Sequence, residues 1–419
     1  MELIKAIGQI KAKITEATAK MLEKFRSWLS EKRNFLFSWY TKDVGETQEP
    51  ERTLIQLPPA VRQKVVEFVE QLPSNSADRE AIVSALDESF EIWHDNPSNA
   101  NNSIVILSSP VTSVSRIITE SLKEWTQQKQ LPMTMLPLTA RPLDIESIKS
   151  KLEYHLKPKS TEDDSQTDRL EVVVIPNLSW CFLRSLDGLS GIEYLQSLLS
   201  DGSKNRFWII GGGQVGWEYL NSVCNLEAYC GKTFVLPKVP PEKLQEWFEP
   251  IVKEIEITFA KPRIDKQILE QDSDPKTHYF EVLADVSEGI SVVAVQGFLK
   301  SLYSEEDETE EDENREKEEE TTNETESVIV AQTPKLSKIP DLESVDQYIL
   351  YSLLLHGDLT LSALAESLGD DKSEVQPRIQ LLRRQGVIEE KDRVLKINPI
   401  HYPKLKRQLA NNNFIINKE

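Results

Sequence analysis

Cysteine is nearly absent. The chain holds three, Cys181, Cys224 and Cys230, and no two stand at C-x-x-C spacing. An odd, scattered set builds neither a disulfide framework nor a zinc module, so free thiols in a reducing compartment are expected. The five histidines are dispersed, none at metal-ligand spacing from a cysteine or another histidine. No apolar run approaches the roughly 20 residues that span a bilayer, and no leader-type pattern precedes one. No serine sits in a G-x-S-x-G elbow, and His94 and His155 fall at helix ends or in loops, so no nucleophilic triad assembles. What remains is a cytoplasmic protein of two or three domains.

Net charge is −20, unevenly spread. Ser301–Ser327 carries 14 acidic and 2 basic residues and so supplies −12 of it. A run that charged buries too little apolar surface to fold, and reads as a solvated linker. The rest is ordinary for a soluble protein and lacks the positive field of a broad nucleic-acid binder. Met1–Lys42 has the opposite sign, 9 basic against 4 acidic residues. Leu3, Ile7, Ile10, Ile14, Ala17, Met21 and Trp28 follow heptad steps there, with Lys24 breaking the stripe. Three readings stay open: a coiled-coil helix for a protein partner or a second copy, a basic amphipathic helix on an anionic membrane surface, or a helix folded onto the chain's own core.

The chain is organised around Ser103–Leu107 and the residues after it. An apolar run of strand length leads into Ser108-Ser-Pro-Val-Thr-Ser-Val-Ser115, and then an amphipathic helix places Val114, Ile117, Ile118 and Leu122 on one face. Strand, tight loop and helix are the frame of a phosphate-binding loop. That loop needs G-x-x-x-x-G-K-[ST], so that glycine amides surround phosphates and a lysine reaches them. On this template Ser108 takes the first glycine position, Ser113 the second, Val114 the lysine and Ser115 the hydroxyl. A second strand, Val172–Ile175, ends at Asn177, where an acid would hold Mg²⁺. A third, Phe207–Ile210, ends in Gly211-Gly-Gly213-Gln214, where a polar side chain would complete the site. Three stations of one machine are altered together.

The remaining pattern alternates. Strands are expected at Ser103–Leu107, Met133–Leu138, Leu170–Ile175, Arg206–Ile210 and Thr233–Leu236. Helices are expected at Thr112–Gln130, Asp144–Leu156, Gly191–Leu199 and Gln214–Leu226, with a polar insertion over Lys157–Asp168. Alternation with continuous apolar strands predicts an α/β fold with a parallel five-stranded, P-loop-like sheet. Two helices precede it. A helix over Pro240–Ile257 and a largely helical stretch including Tyr279–Tyr303 follow, forming a helical lid. Asp341–Glu419 reads as a winged helix: three helices, a turn at Gly369-Asp-Asp371 and a hairpin around Glu389–Arg393. The expected divisions are 1–42 amphipathic helix, 54–260 core, 261–303 lid, 304–335 linker and 341–419 winged helix, the last releasable as a folded fragment.

Val174-Ile-Pro-Asn-Leu178, Phe182-Leu-Arg184, Phe207-Trp-Ile-Ile-Gly211, Trp217-Glu-Tyr-Leu220, Ala228-Tyr229, Asn398-Pro-Ile-His-Tyr-Pro403 and Asn413-Phe414 occur in this order. With them the chain, from about Leu54 to its end and outside the acidic run, resembles bacterial AAA+-type ATPases with a C-terminal winged helix. The resemblance implies the fold. The family's hydrolysis is not implied, because Val114 and Asn177 stand at the lysine and acid positions.

Two motifs compete with this reading. Gly211-x-Gly213-x-x-Gly216 matches the dinucleotide fingerprint, but no Asp or Glu ends the next strand, so a tight glycine turn is expected. Gly231-Lys-Thr233 leads into a strand and not a helix. In the C-terminal domain Arg378, Arg383, Arg384, Lys391 and Arg393 are candidates for DNA or partner contact. Asp370, Asp371 and Glu374 crowd the end of the helix that would meet DNA, and the domain's 11 basic and 12 acidic residues balance, which favours protein contact or intramolecular docking. The leading expectation is a non-hydrolysing scaffold or adaptor without a cofactor, or with weak ATP and Mg²⁺ binding. The alternatives are a nucleotide-dependent DNA-binding regulator and an active ATPase with atypical residues. Deleting Met1–Lys42 is expected to leave a folded core and to abolish either self-association or flotation with anionic vesicles. Unchanged oligomer mass and unchanged flotation would instead assign the helix to the chain's own core.

Overall fold

The computed structural model describes residues 57–97, 100–129, 132–157, 170–200, 204–260, 274–305 and 328–416. All belong to one compact unit, Arg52–Glu419. The helix expected over 1–42, nearly all of the polar insertion and most of the acidic run lie outside the described residues.

Helices α1 (Pro59–Gln71) and α2 (Ser76–Asp95) lead into β1 (Ser103–Ser108), β2 (Met133–Met135), β3 (Glu171–Ile175), β4 (Arg206–Gly213) and β5 (Lys232–Val235). The five strands are parallel, in the order β2-β3-β4-β1-β5. β1 is buried along its whole length, so both of its faces are covered. Ile104, Ile106, Val172, Val174, Phe207 and Ile209 face α2 and α3 (Val114–Lys129). The alternate residues Val105, Leu107, Val173, Ile175, Trp208 and Ile210 face the other way, toward α4 (Ser147–Leu156), α5 (Ser190–Ser200) and α6 (Gln214–Cys224). Phe90 sits edge-on to both Trp125 and Phe207, with ring centroids 5.3 and 5.5 Å apart. β2 is shorter than expected: the Leu136 amide still donates to the Val174 carbonyl at 2.8 Å, but the next donor due from β3 is Pro176, which has no amide.

Helices α7 (Pro241–Glu254), α8 (Pro275–Val286) and α9 (Ser291–Ser301) build a second cluster, joined by α1. Phe248 stacks on Phe298 at 4.5 Å at its centre. The expected boundary at 260 is thus displaced: α1 and α7 share their apolar core with α8 and α9. The helical stretch expected over Tyr279–Tyr303 is broken, because Glu288 and Gly289 take φ of 53° and 67° and reverse the chain. The linker expected over 304–335 is corrected at both ends. β7 (Leu302–Glu305) pairs antiparallel with β8 (Val328–Ala331), Glu305 opposite Val328, and β6 (Thr258–Phe259) adds to β8. The apolar quartet Val328-Ile-Val-Ala331 is buried from Ile329 onward, which a solvated linker would not allow.

The C-terminal part runs α10 (Ser344–His356), β9 (Leu359–Thr360), α11 (Leu361–Leu368), α12 (Lys372–Arg384), β10 (Ile388–Lys391), β11 (Val394–Ile397) and α13 (Tyr402–Asn411). Its small sheet has the order β10-β11-β9. The second half of α10 is largely apolar all round, and each residue from Ile349 to His356 is buried, Ser352 and His356 included. A helix of that kind must be covered all round. Its own unit covers one side; α6 and the sheet cover the other, in one continuous core. Gly216 permits the approach, since a Cβ there would stand 2.6 Å from the Leu355 carbonyl oxygen. The C-terminal unit is therefore not the releasable fragment expected from sequence: cutting it away would strip half of α10's cover.

Two arginines fasten this junction. Arg141, between β2 and α4, has a side chain only 6 % exposed. Its Nη1 donates to the Asp358 carbonyl at 2.7 Å, its Nε to Phe182 at 3.0 Å, and its Nη2 to Ser179 at 2.6 Å and His356 at 3.3 Å. Burial pulls its guanidinium down to about 10, still charged at neutral pH. Arg184 donates to the Ser367 carbonyl through Nε and Nη2, at 3.2 and 3.0 Å. Arg141→Leu would leave buried carbonyls without donors and is expected to lower stability by about 3–5 kcal/mol. Arg141→Lys should recover less than half, because an ammonium cannot span the fork. Urea unfolding of the full chain checks both.

Candidate functional site

Right-handed crossovers send β1 through α3 toward β2 and β4 through α6 toward β5, in opposite directions. Adjacent strands β1 and β4 therefore have their following helices on opposite faces. The crevice beyond their carboxyl ends is the switch point where open α/β sheets take ligands. The loop Ser109–Ser113 and the start of α6 both open there.

The loop after β1 makes several of its hydrogen bonds within itself. The Thr112 amide donates to the Ser109 carbonyl at 2.9 Å, and the Val114 amide to Thr112 at 2.9 Å. The Arg116 amide turns to Ser113 at 3.1 Å, and Pro110 has no amide to give. The Ser108 hydroxyl donates back to the Ser109 carbonyl, and Ser113 and Ser115 meet each other, Oγ to Oγ, at 3.4 Å. Val114, at the lysine position, is 2 % exposed and packs with Ile117, Ile118 and the α2 side chains. It points into the core. Asn177 caps a short 3-10 turn, Leu178–Cys181, by accepting from the Ser179 amide at 3.0 Å. Gly213 caps α6, and a Cβ on it would stand 3.4 Å from Pro110 Cα. Gly211 and Gly213 belong to β4 and not to a turn, which corrects the sequence reading. Neither they nor Gly216 has positive φ, and a Cβ at Gly211 would stand 2.4 Å from the Pro176 carbonyl. The fingerprint glycines answer to close backbone approach.

A cleft of about 260 Å³ occupies the crevice. Ser108, Ser109, Thr112 and Gln214 form one wall; Lys238, the α8–α9 turn and Asp78 form another; Tyr402 and Lys406 of α13 close it. Asp78 is buried, which holds its carboxyl above the usual range, against the hydrogen bond it accepts from Ser291 at 2.6 Å. Of the aligned stations only Ser108 lines this cleft; the wall residue Gln214 directly follows β4. Lys238, Glu288 and Lys406 come from three distant segments and leave no linear motif. Among the described residues, no group of three His, Cys, Asp or Glu side chains could hold a metal ion, and no helix is long and apolar enough to cross a membrane. Burial pushes the Cys181 and Cys230 thiols up to about 12, so neither is a thiolate at neutral pH.

The candidate contact residues of the C-terminal unit divide into two groups. Arg378 is turned inward, its Nε on Asp346 Oδ1 at 2.9 Å and its Nη1 on Glu343 at 3.1 Å. Arg383 pairs with Glu390, and Lys391 lies 3.9 Å from Glu70. Arg384 and Arg393 are exposed.

No family model matches the chain, and no curated protein matches it. Among solved structures, Cdc6p from Pyrobaculum aerophilum is similar at 12 % identity and a TM-score of 0.35, over 81 % of this chain and 96 % of that one. The Aeropyrum pernix ORC2 protein, in its ADPNP-ADP complexes, is similar at 13 % identity and a TM-score of 0.36, with the same coverage. The Thermotoga maritima RuvB Holliday junction branch migration motor gives 14 % and 0.30, over 78 % and 94 %. Likeness this distant says nothing about the chemistry of this chain. Val114→Lys would place an ammonium in an apolar core and is expected to destabilise by about 3 kcal/mol, whereas Val114→Met should change little. Denaturation midpoints of the two variants check this.

Proposed function

We propose that the protein is a non-hydrolysing AAA+-like scaffold or adaptor. One observation carries the reading: the side chain at the lysine position, Val114, is buried in the core beneath the loop. Phosphoryl transfer asks a protein chiefly for positioning and charge. Here the Thr112 and Val114 amides bond within the loop, the positive charge is missing, and Asn177 is a neutral cap. Nothing in that set neutralises charge developing on a transferred phosphoryl group. The sheet then serves as a rigid frame.

The C-terminal unit is read as a winged helix, from its succession of helix, strand, two helices and hairpin. With α10 given over to docking, the exposed sides of α12 and the β10–β11 hairpin remain for a partner protein. Arg378 and Arg383 are engaged by acids of their own unit, which speaks against phosphate contacts by these two and favours protein over DNA. The basic segment 1–42, an amphipathic helix only by its sequence pattern, is the second surface we assign, for self-association or for peripheral attachment to a membrane, with the protein working in the cytoplasm. Calorimetric titration with MgATP beside a phosphate-release assay tests the core of the proposal. The expected result is at most weak binding and no turnover above a buffer blank. Turnover that persists through purification and is lost in Ser115→Ala would overturn it.

A further inference from the structure

Lysines from four segments gather where α9 meets the C-terminal unit. Lys300, the last residue but one of α9, donates to the Ser337 hydroxyl at 3.2 Å. Lys335 and Lys338 stand to either side of that buried serine and are themselves exposed. Lys404 lies in the first turn of α13, just after the 3-10 turn Pro399–His401. Lys396 of β11 is paired across the strands with Glu389 of β10. Two groups among them register the charge. Burial, with Lys300 and Lys404 close by, pulls the His401 imidazole down to about 4. Glu389 interacts with Lys396 and Lys300 together.

Little on the body answers these charges. Among the described residues Lys300, Lys335, Lys338 and Lys404 enter no ion pair. Lys396 reaches Asp358 at 4.0 Å, but Asp358 also stands 4.0 Å from Arg141. Five lysines thus meet two carboxylates, Glu389 and Asp358, one of them shared. In a chain of net charge −20 such an excess is out of keeping with the rest of the surface. The opposite excess is tethered beside it. Residues 306–327 hold 13 acidic and 2 basic residues. Both ends of this run leave from one place, because Glu305 stands opposite Val328. The other end of the same hairpin, Leu302 opposite Ala331, leads into Ser301 and Gln332, and the Gln332 amide donates to the Ser301 carbonyl at 3.0 Å. Lys300 comes just before that point, and Lys335 and Lys338 just after. Three strand steps, about 10 Å, separate the roots of the run from this edge of the lysine group. Extended at about 3.4 Å per residue, the run can go out and return over roughly 35 Å, enough to cross the whole group.

We infer that this basic face is the docking surface for the chain's own acidic run, residues 306–327, within the same molecule. A single exposed ion pair contributes only about 0–1 kcal/mol. Several of them, at the millimolar effective concentration that a short tether supplies, outcompete an acidic chain offered from solution. The run then covers the seam between α9 and the C-terminal unit, and leaves α12 and the tip of the β10–β11 hairpin for a partner protein. The inference makes no use of the crevice and does not depend on the non-hydrolysing reading.

Two measurements on the full chain test it. Carbodiimide coupling joins a carboxylate to an amine only where the two touch. At low salt, links from residues 306–327 are expected chiefly to Lys300, Lys335, Lys338, Lys396 and Lys404, within one molecule, and are expected to fade at high salt. Links spread evenly over the exposed lysines, or formed only between two molecules, would overturn the inference. The second measurement uses poly-L-glutamate as the probe. A chain with 306–327 replaced by an equal length of Gly and Ser should bind it at least tenfold more tightly than wild type. Lys335→Gln with Lys338→Gln in that chain should remove most of the gain, and Lys149→Gln with Lys151→Gln on α4 should not. All four lysines are exposed, so each variant should fold. Equal binding by the wild-type and replaced chains, or a gain that survives the Lys335 and Lys338 changes, would overturn the inference, since lost repulsion alone gives the latter. MgATP turnover would overturn the non-hydrolysing reading and leave this contact standing.

Discussion

A guanidinium taken out of water is costly unless its hydrogen bonds are replaced, and Arg141 replaces them with backbone carbonyls from two distant parts of the chain. Two belong to the turn after β3; two belong to the exit of α10. The geometry of a planar fork then dictates how the C-terminal unit meets the sheet. α10 can bury both its sides only in that relation, and Gly216 allows α6 to come close enough to seal it. The position of Pro110, between Gly213 and the turn at Gly357, follows from the same docking. So the shape of the β1–α3 loop is set partly by residues more than two hundred positions away.

This arrangement bears on what the crevice can do. A phosphate loop needs free amides and room for backbone to approach its ligand. Here Pro110 has no amide, the Thr112 and Val114 amides bond within the loop, and Gly357 of the C-terminal unit lies beside Pro110. The basic groups that remain near the crevice come from α13 and from the segment after β5.

Much of the sheet was legible in the sequence. The apolar runs at Ser103–Leu107, Leu170–Ile175 and Arg206–Ile210 are strands, since buried parallel strands admit few other patterns. The helices on either face were legible within a few residues from their apolar spacing. The mode of docking was less so, although Ile349–His356 announces it: a helix with no polar side cannot end an independent domain. Reading only Val345, Ile349 and Leu353 as a stripe hid this, and Val345 is in fact exposed. The lid boundary escaped because α1 precedes the sheet in sequence and joins a cluster that follows it. The cleft escaped because Asp78, Lys238, Glu288 and Lys406 are brought together only by tertiary packing, for which periodicity offers no signal.

The pairing of Glu305 with Val328 closes the connection between two distant stretches of chain. The segment between them joins two strands that are already paired, so the pairing fixes where that segment begins and where it ends. The closure entropy of such a segment grows only as the logarithm of its length, about 0.6 kcal/mol per doubling. Its composition can drift, lengthen or shorten with little effect on the packed body, provided the two clamped strands persist. The hairpin thus lets the length of the connection change at little thermodynamic cost to the body that carries it.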